Sequence, residues 1–206
     1  MRDRRRFSVL RLASDAAVNL GPVKGDDPER LYSIAEAVVQ GKESPENFSG
    51  RDRIFAEMCR AYASGWSELV RFTEERIDKL DDGLLTGLLL MLTDLAVRTP
   101  KEKVIEDARV WLEGVEVDKR IAATKVLTII GRDSPNEAIS LLQETLNKDP
   151  IKRVRLSALR GLWSIAESRR DIRERVISLI TSRLGIERSA EVRAEILSAV
   201  LSLMKD

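Results

Sequence analysis

The chain of 206 residues is 43% hydrophobic and 33% charged, enough apolar material for a sizeable core beneath an unusually charged surface. Its net charge of +1 supplies no field to draw it onto DNA or anionic lipid. The absence of histidine removes the commonest general base, the commonest metal ligand and every imidazole triad. A single cysteine, Cys59, leaves no internal disulfide and no zinc or iron site of the usual kind, and points to a reducing, cytoplasmic setting. No catalytic residue, metal or cofactor is expected.

In chain order, the basic run Met1–Arg6 leads into an apolar stretch broken by Arg11 and Asp15, which fits a helix over 3–20 rather than a secretory leader. Asp27-Pro28, Ser44-Pro45, Thr99-Pro100, Ser134-Pro135 and Asp149-Pro150 each place proline after a good capping residue, as at a helix start. Glu102 and Glu137 complete capping boxes with Thr99 and Ser134. Gly41, Gly114, Gly131 and Gly185 fall where apolar periodicity stops, as left-handed C-terminal caps do. Between these marks the apolar period predicts helices over 28–40, 51–64, 66–80, 82–98, 100–114, 117–131, 135–148, 150–168, 170–184 and 188–205, and no strand. The helix 82–98 is apolar on nearly every side and should centre the core, but its apolar run, Leu84–Val97, is too short to span a membrane. Just before it, Glu74, Glu75 and Asp78 (with Asp81 and Asp82) suit a hard cation or a basic partner. Calcium-loop spacing is missing, so a solvated face is the plainer reading.

Two stretches repeat at an offset of 38 residues: Asp149-Pro-Ile-Lys-Arg-Val154-Arg155 and Glu187-Arg-Ser-Ala-Glu-Val192-Arg193. On a helical wheel Ile151, Val154, Ala158, Leu162 and Ile165 share one arc with Arg155 inside it. Val192, Ile196, Leu197, Val200 and Leu203 likewise enclose Arg193. A guanidinium on an apolar face needs a carboxylate. Asp149 and Glu187, each six residues earlier, qualify, and so does the equivalent acid of a neighbouring repeat.

This pattern resembles the HEAT repeat, in which a turn bearing Asp precedes a helix that opens Val-Arg and continues with spaced Ala and Leu. Asp149-Pro150…Val154-Arg155…Ala158-Leu159 carries the likeness. Glu187 to Leu197 follows it with Glu for Asp, and Val117–Gly131 does so more loosely, with Asp118 in the turn and no arginine at the Val-Arg position. The resemblance implies an all-α, right-handed superhelix: one solenoid domain of about five helix pairs over 1–206, clearest over 100–206 and irregular over 1–50, with 3–20 as a cap. It also implies a concave face that takes up partners.

Charge is uneven along the chain. Residues 26–118 carry 12 basic and 21 acidic side chains, and 151–206 carry 12 and 7. The basic set Arg153, Arg160, Arg169, Arg170 and Arg173 suits phosphate, yet interleaved acids favour surface ion-pair networks of the heat-adapted kind. Trp163, one turn before Glu167, resembles the aromatic-and-acid pair of HEAT-like alkylpurine DNA glycosylases, with Glu in place of their Asp. Trp66, Trp111 and Cys59 read as packing. The resulting expectation is a non-catalytic HEAT-like scaffold that binds another protein through its concave face, with no membrane association. A nucleic-acid-binding module using 151–193 is the second reading.

Overall fold

The computed structural model describes residues 27–205, so the helix expected over 3–20 and most of the segment 21–27 lie outside the described residues. Those described form ten α-helices with three short 3-10 turns, and no strand. None of these helices is long and apolar enough to cross a membrane. The chain divides into two compact units, Met1–Arg98 and Thr99–Asp206.

The first unit holds α1 (Pro28–Val39), a 3-10 turn at Pro45–Asn47, α2 (Gly50–Ser64), α3 (Trp66–Arg76, tightening into a 3-10 turn at Ile77–Lys79) and α4 (Asp82–Arg98). Here α1 packs on α2, α2 on α3, and α4 on both α2 and α3. Phe55, Met58 and Cys59 of α2, Leu69 of α3, and Leu88, Met91 and Leu92 of α4 are sealed from solvent. Because α4 meets two helices, its apolar stripe is wide, although Val97 emerges 67% exposed. Across this core the Tyr62 hydroxyl donates to Asp94 (2.5 Å) and accepts from Arg98 (2.8 Å), which also pairs with Asp94.

A single residue, Gly65, separates α2 from α3. Its φ of +116° and ψ of −172° lie where a side chain is strained. Its amide closes α2 onto Ala61 and Tyr62, and its carbonyl opens α3 by accepting from Leu69. Gly65→Ala is therefore expected to cost about 1–3 kcal/mol. Urea unfolding followed by tryptophan fluorescence, with Trp66 alongside, measures it.

The second unit holds α5 (Lys101–Glu113), α6 (Val117–Gly131), α7 (Pro135–Lys148), α8 (Lys152–Ser168), a 3-10 turn at Arg170–Ile172, α9 (Arg173–Arg183) and α10 (Ala190–Leu203). Short links make α5/α6, α7/α8 and α9/α10 into hairpins. The second helices α6, α8 and α10 pack side by side in one row, and α5, α7 and α9 form the other. Ala123, Val126 and Leu127, then Val154, Ala158 and Leu162, then Val192, Ile196 and Ala199 fill the space between the rows. Where α6 meets α8 the side chains are small. Thr124 and Ser157 share a hydroxyl–hydroxyl hydrogen bond of 2.5 Å, and a Cβ on Gly161 would stand 2.5 Å from Thr128 Oγ1. Gly161→Val should separate these helices and cost about 1–3 kcal/mol as an overpacked core does, measured by thermal unfolding.

Several local expectations are corrected. The helix after Asp149-Pro150 begins at Lys152, and Asp149 is instead the residue that ends α7; its Oδ1 accepts from the Ile151 amide at 2.8 Å. Ser134 makes no side-chain cap bond, since its hydroxyl accepts from Lys101, while Glu137 pairs with Arg109 rather than closing a box. Among the four glycines expected as left-handed caps, only Gly41 has a positive φ, +69°. Gly131 ends α6 in contact with Ile165 and Ala138, so close approach rather than dihedral freedom selects it. Ile151 and Leu197, placed on core arcs by the wheel, are 37% and 51% exposed.

Candidate functional site

The two repeated arginines are bonded in a consistent way. Arg155 Nη1 donates to the carbonyls of Asp149 and Pro150, both at 3.0 Å, which ties its helix to its own turn. Its Nε and Nη2 reach Glu187 of the next pair at 3.0 and 2.9 Å. The carboxylate six residues earlier is thus not its ion partner; the acid of the following pair is. Arg193 repeats the first half, with Nη1 on the Glu187 and Arg188 carbonyls at 2.9 and 3.4 Å. A third member escaped the sequence pattern. Arg120 holds the Gly114 and Val115 carbonyls at 2.9 and 2.8 Å and meets Asp149 at 2.8 Å. No valine precedes it and glycine stands where the others have an acid, so Asp118 drew the alignment aside. The result is a ladder, Arg120 to Asp149 and Arg155 to Glu187, that stitches each hairpin to the next.

These pairs are shielded. The side chains of Asp149 and Arg120 are 6% and 9% exposed, and those of Glu187 and Arg155 are 1% and 12%. Burial pushes the Glu187 carboxyl up, but Arg155, the Ser189 amide at 2.8 Å and Arg183 outweigh it and bring the pKa from 4.5 down to about 2. Such a site is saturated. Each carboxylate oxygen accepts at least one hydrogen bond, which suits the pairs to holding structure.

The basic set is partly consumed in the same way. Arg160 pairs with Glu195 of α10 at 2.8 Å, and Arg169 forks onto Asp171 at 2.8 and 2.7 Å while reaching the Arg132 carbonyl. Arg173 is half-buried at the start of α9. Arg153 and Arg170 are exposed with no acid partner among the described residues. They flank α8 at its two ends, about 25 Å apart along the helix. In the first unit Glu74, Glu75 and Asp78 are exposed, and among the described residues no three carboxylate or thiol groups gather as a metal would need. Trp66 and Trp111 are buried. Trp163 is half-buried with its Nε1 shielded from solvent, and Glu167 is exposed. Cys59 is sealed in the core, where burial pushes the thiol up and keeps it protonated.

One concavity stands out in the second unit. A cleft of about 640 Å³ opens between the C-terminal ends of α5 and α7, over the Arg120–Asp149 pair. Leu112, Val115, Leu141 and Ile151 give it apolar walls, and Val115 is 86% exposed. Its volume falls in the range of ligand sites. Arg109, Glu113, Glu144 and Lys148 surround it with balanced charge, Lys148 donating to Glu144 at 2.8 Å. The cleft suits an apolar side chain with a polar backbone around it. Its hydroxyl, Thr145, donates to the Leu141 carbonyl at 2.8 Å, and its shielded acid, Asp149, is matched by Arg120. Sequence reasoning missed it, because the walls come from three separate elements and the exposed Val115 lies in a turn. Comparisons with known protein families, curated proteins and solved structures find no match to this chain.

Proposed function

We propose that this chain is a non-catalytic, HEAT-like solenoid scaffold that binds another protein, with the cleft where α5 and α7 end as the seat. The observation that supports this reading is the cleft between α5 and α7, which leaves an apolar wall with balanced charge open beside the start of α6. An apolar centre within a polar rim is how protein interfaces are built. Nucleic acid is less well served. It asks for a track of free cations, and two of the candidate arginines are neutralised by acids while Arg153 and Arg170 stand far apart.

Affinity capture at moderate salt tests this. The expected result is a protein partner held by the wild-type chain and released by the pair Val115→Asp and Ile151→Asp. Co-purification of nucleic acid instead, with a gel shift that weakens steeply with salt and vanishes in Arg153→Glu with Arg170→Glu, would replace this reading with the second one.

A further inference from the structure

The ladder has an unfinished rung. Arg193 clasps the carbonyls of its own turn as Arg120 and Arg155 do, yet no carboxylate meets its remaining nitrogens among the described residues. The helix flank beside it is unfinished too. On α8 the arc between Arg155 and Arg160 contains Leu156, Leu159 and Trp163, and α10 covers it. Leu159 is wholly buried and Leu156 is 7% exposed, while Lys152, Arg155 and Arg160 bond to Glu191, Glu187 and Glu195 at its borders. The same arc on α10, 38 residues on, contains Ala194, Leu197 and Leu201. There Ala194 is exposed, Leu197 is 51% exposed and Leu201 is 61% exposed. An apolar helix flank left open in this way marks an interaction surface, and Arg193 stands at its edge.

We propose that the outer flank of α10 is a docking edge for a helical-hairpin partner. That partner brings a carboxylate, in the turn before its second helix, onto Arg193 and lays an apolar helix face over Leu197 and Leu201. The chemistry of the occupant is read from the two filled rungs, where the following hairpin supplies that acid and that face. A second copy of the same flank fits less well. Its acids Glu191 and Glu195 are already engaged by Lys152 and Arg160, so two such flanks would set arginine against arginine. The inference concerns a different surface from the cleft between α5 and α7 and stands or falls separately.

The probe is a fluorescein-labelled peptide of residues 170–203, the hairpin that fills the corresponding place on α8, titrated with the full chain and read by fluorescence anisotropy. Saturable binding is expected. Arg193→Glu in the chain should weaken it about tenfold or more, and a peptide carrying Glu187→Lys should recover binding to that variant. Leu197→Ser, at a half-exposed position that leaves the fold intact, should weaken it independently. Absence of saturable binding, or binding indifferent to Arg193→Glu, overturns the proposal. So does self-association of the full chain, seen by sedimentation equilibrium and abolished by Leu197→Ser, which would give the flank to a second copy.

Discussion

Arg155→Ala is expected to lower the stability of the second unit by about 3 kcal/mol, because it removes the main cation from a carboxylate that is 1% exposed. It also frees the Asp149 and Pro150 carbonyls that Nη1 satisfies. Arg183, at 3.0 Å from Glu187, stays behind and holds the loss to the lower end of the range for broken buried pairs. Arg193→Ala is the internal control. It occupies the same place in the repeat but is exposed, and should cost under about 1 kcal/mol. Urea unfolding by far-UV circular dichroism compares the two. Equal losses would mean that clasping the turn, rather than the rung to the next hairpin, is the source of the stability.

The second large effect is on acid stability. A carboxyl whose pKa falls from 4.5 unfolded to about 2 folded stabilises the native state wherever it is ionised in both states. The contribution of Glu187 is therefore full above about pH 4.5 and is lost progressively as pH falls towards 2. The shift corresponds to about 3 kcal/mol. Glu187→Gln should lower stability at neutral pH and flatten this part of the acid limb. A variant whose acid limb keeps the wild-type slope between pH 4.5 and 2 would assign that limb to other carboxylates.

The helical rhythm was legible because a 3.6-residue apolar period is a property of one helix at a time. The ladder was legible only in part. Val154-Arg155 and Val192-Arg193 marked two arginines, but the choice of acid depends on how hairpins stack. With its own turn's carbonyls already on Nη1, the fork of Arg155 points onward to Glu187 and not back to Asp149. Cap bonds went astray for a related reason. Ser134 heads α7 as expected but its hydroxyl accepts from Lys101, and Asp149, two residues before α8 opens, is shared between Arg120 and the Ile151 amide. Leu197 looked like core because a wheel assumes that every apolar arc is covered. The cleft lay beyond reach altogether, since turns and helix ends far apart in sequence build it.

The ladder also gives the array a polarity. Each arginine is completed only by the next hairpin along the chain, so shortening the unit has different consequences at its two sides. Cut after α8, the chain would present Arg155, Leu159 and Trp163 to water and reproduce at a new position the adhesive edge that α10 now has. Cut before α7, it would leave Asp149 without its arginine but still bonded to the Ile151 amide, a carboxylate at ease in water. One side of the unit grows by recruitment, and the other falls quiet when exposed.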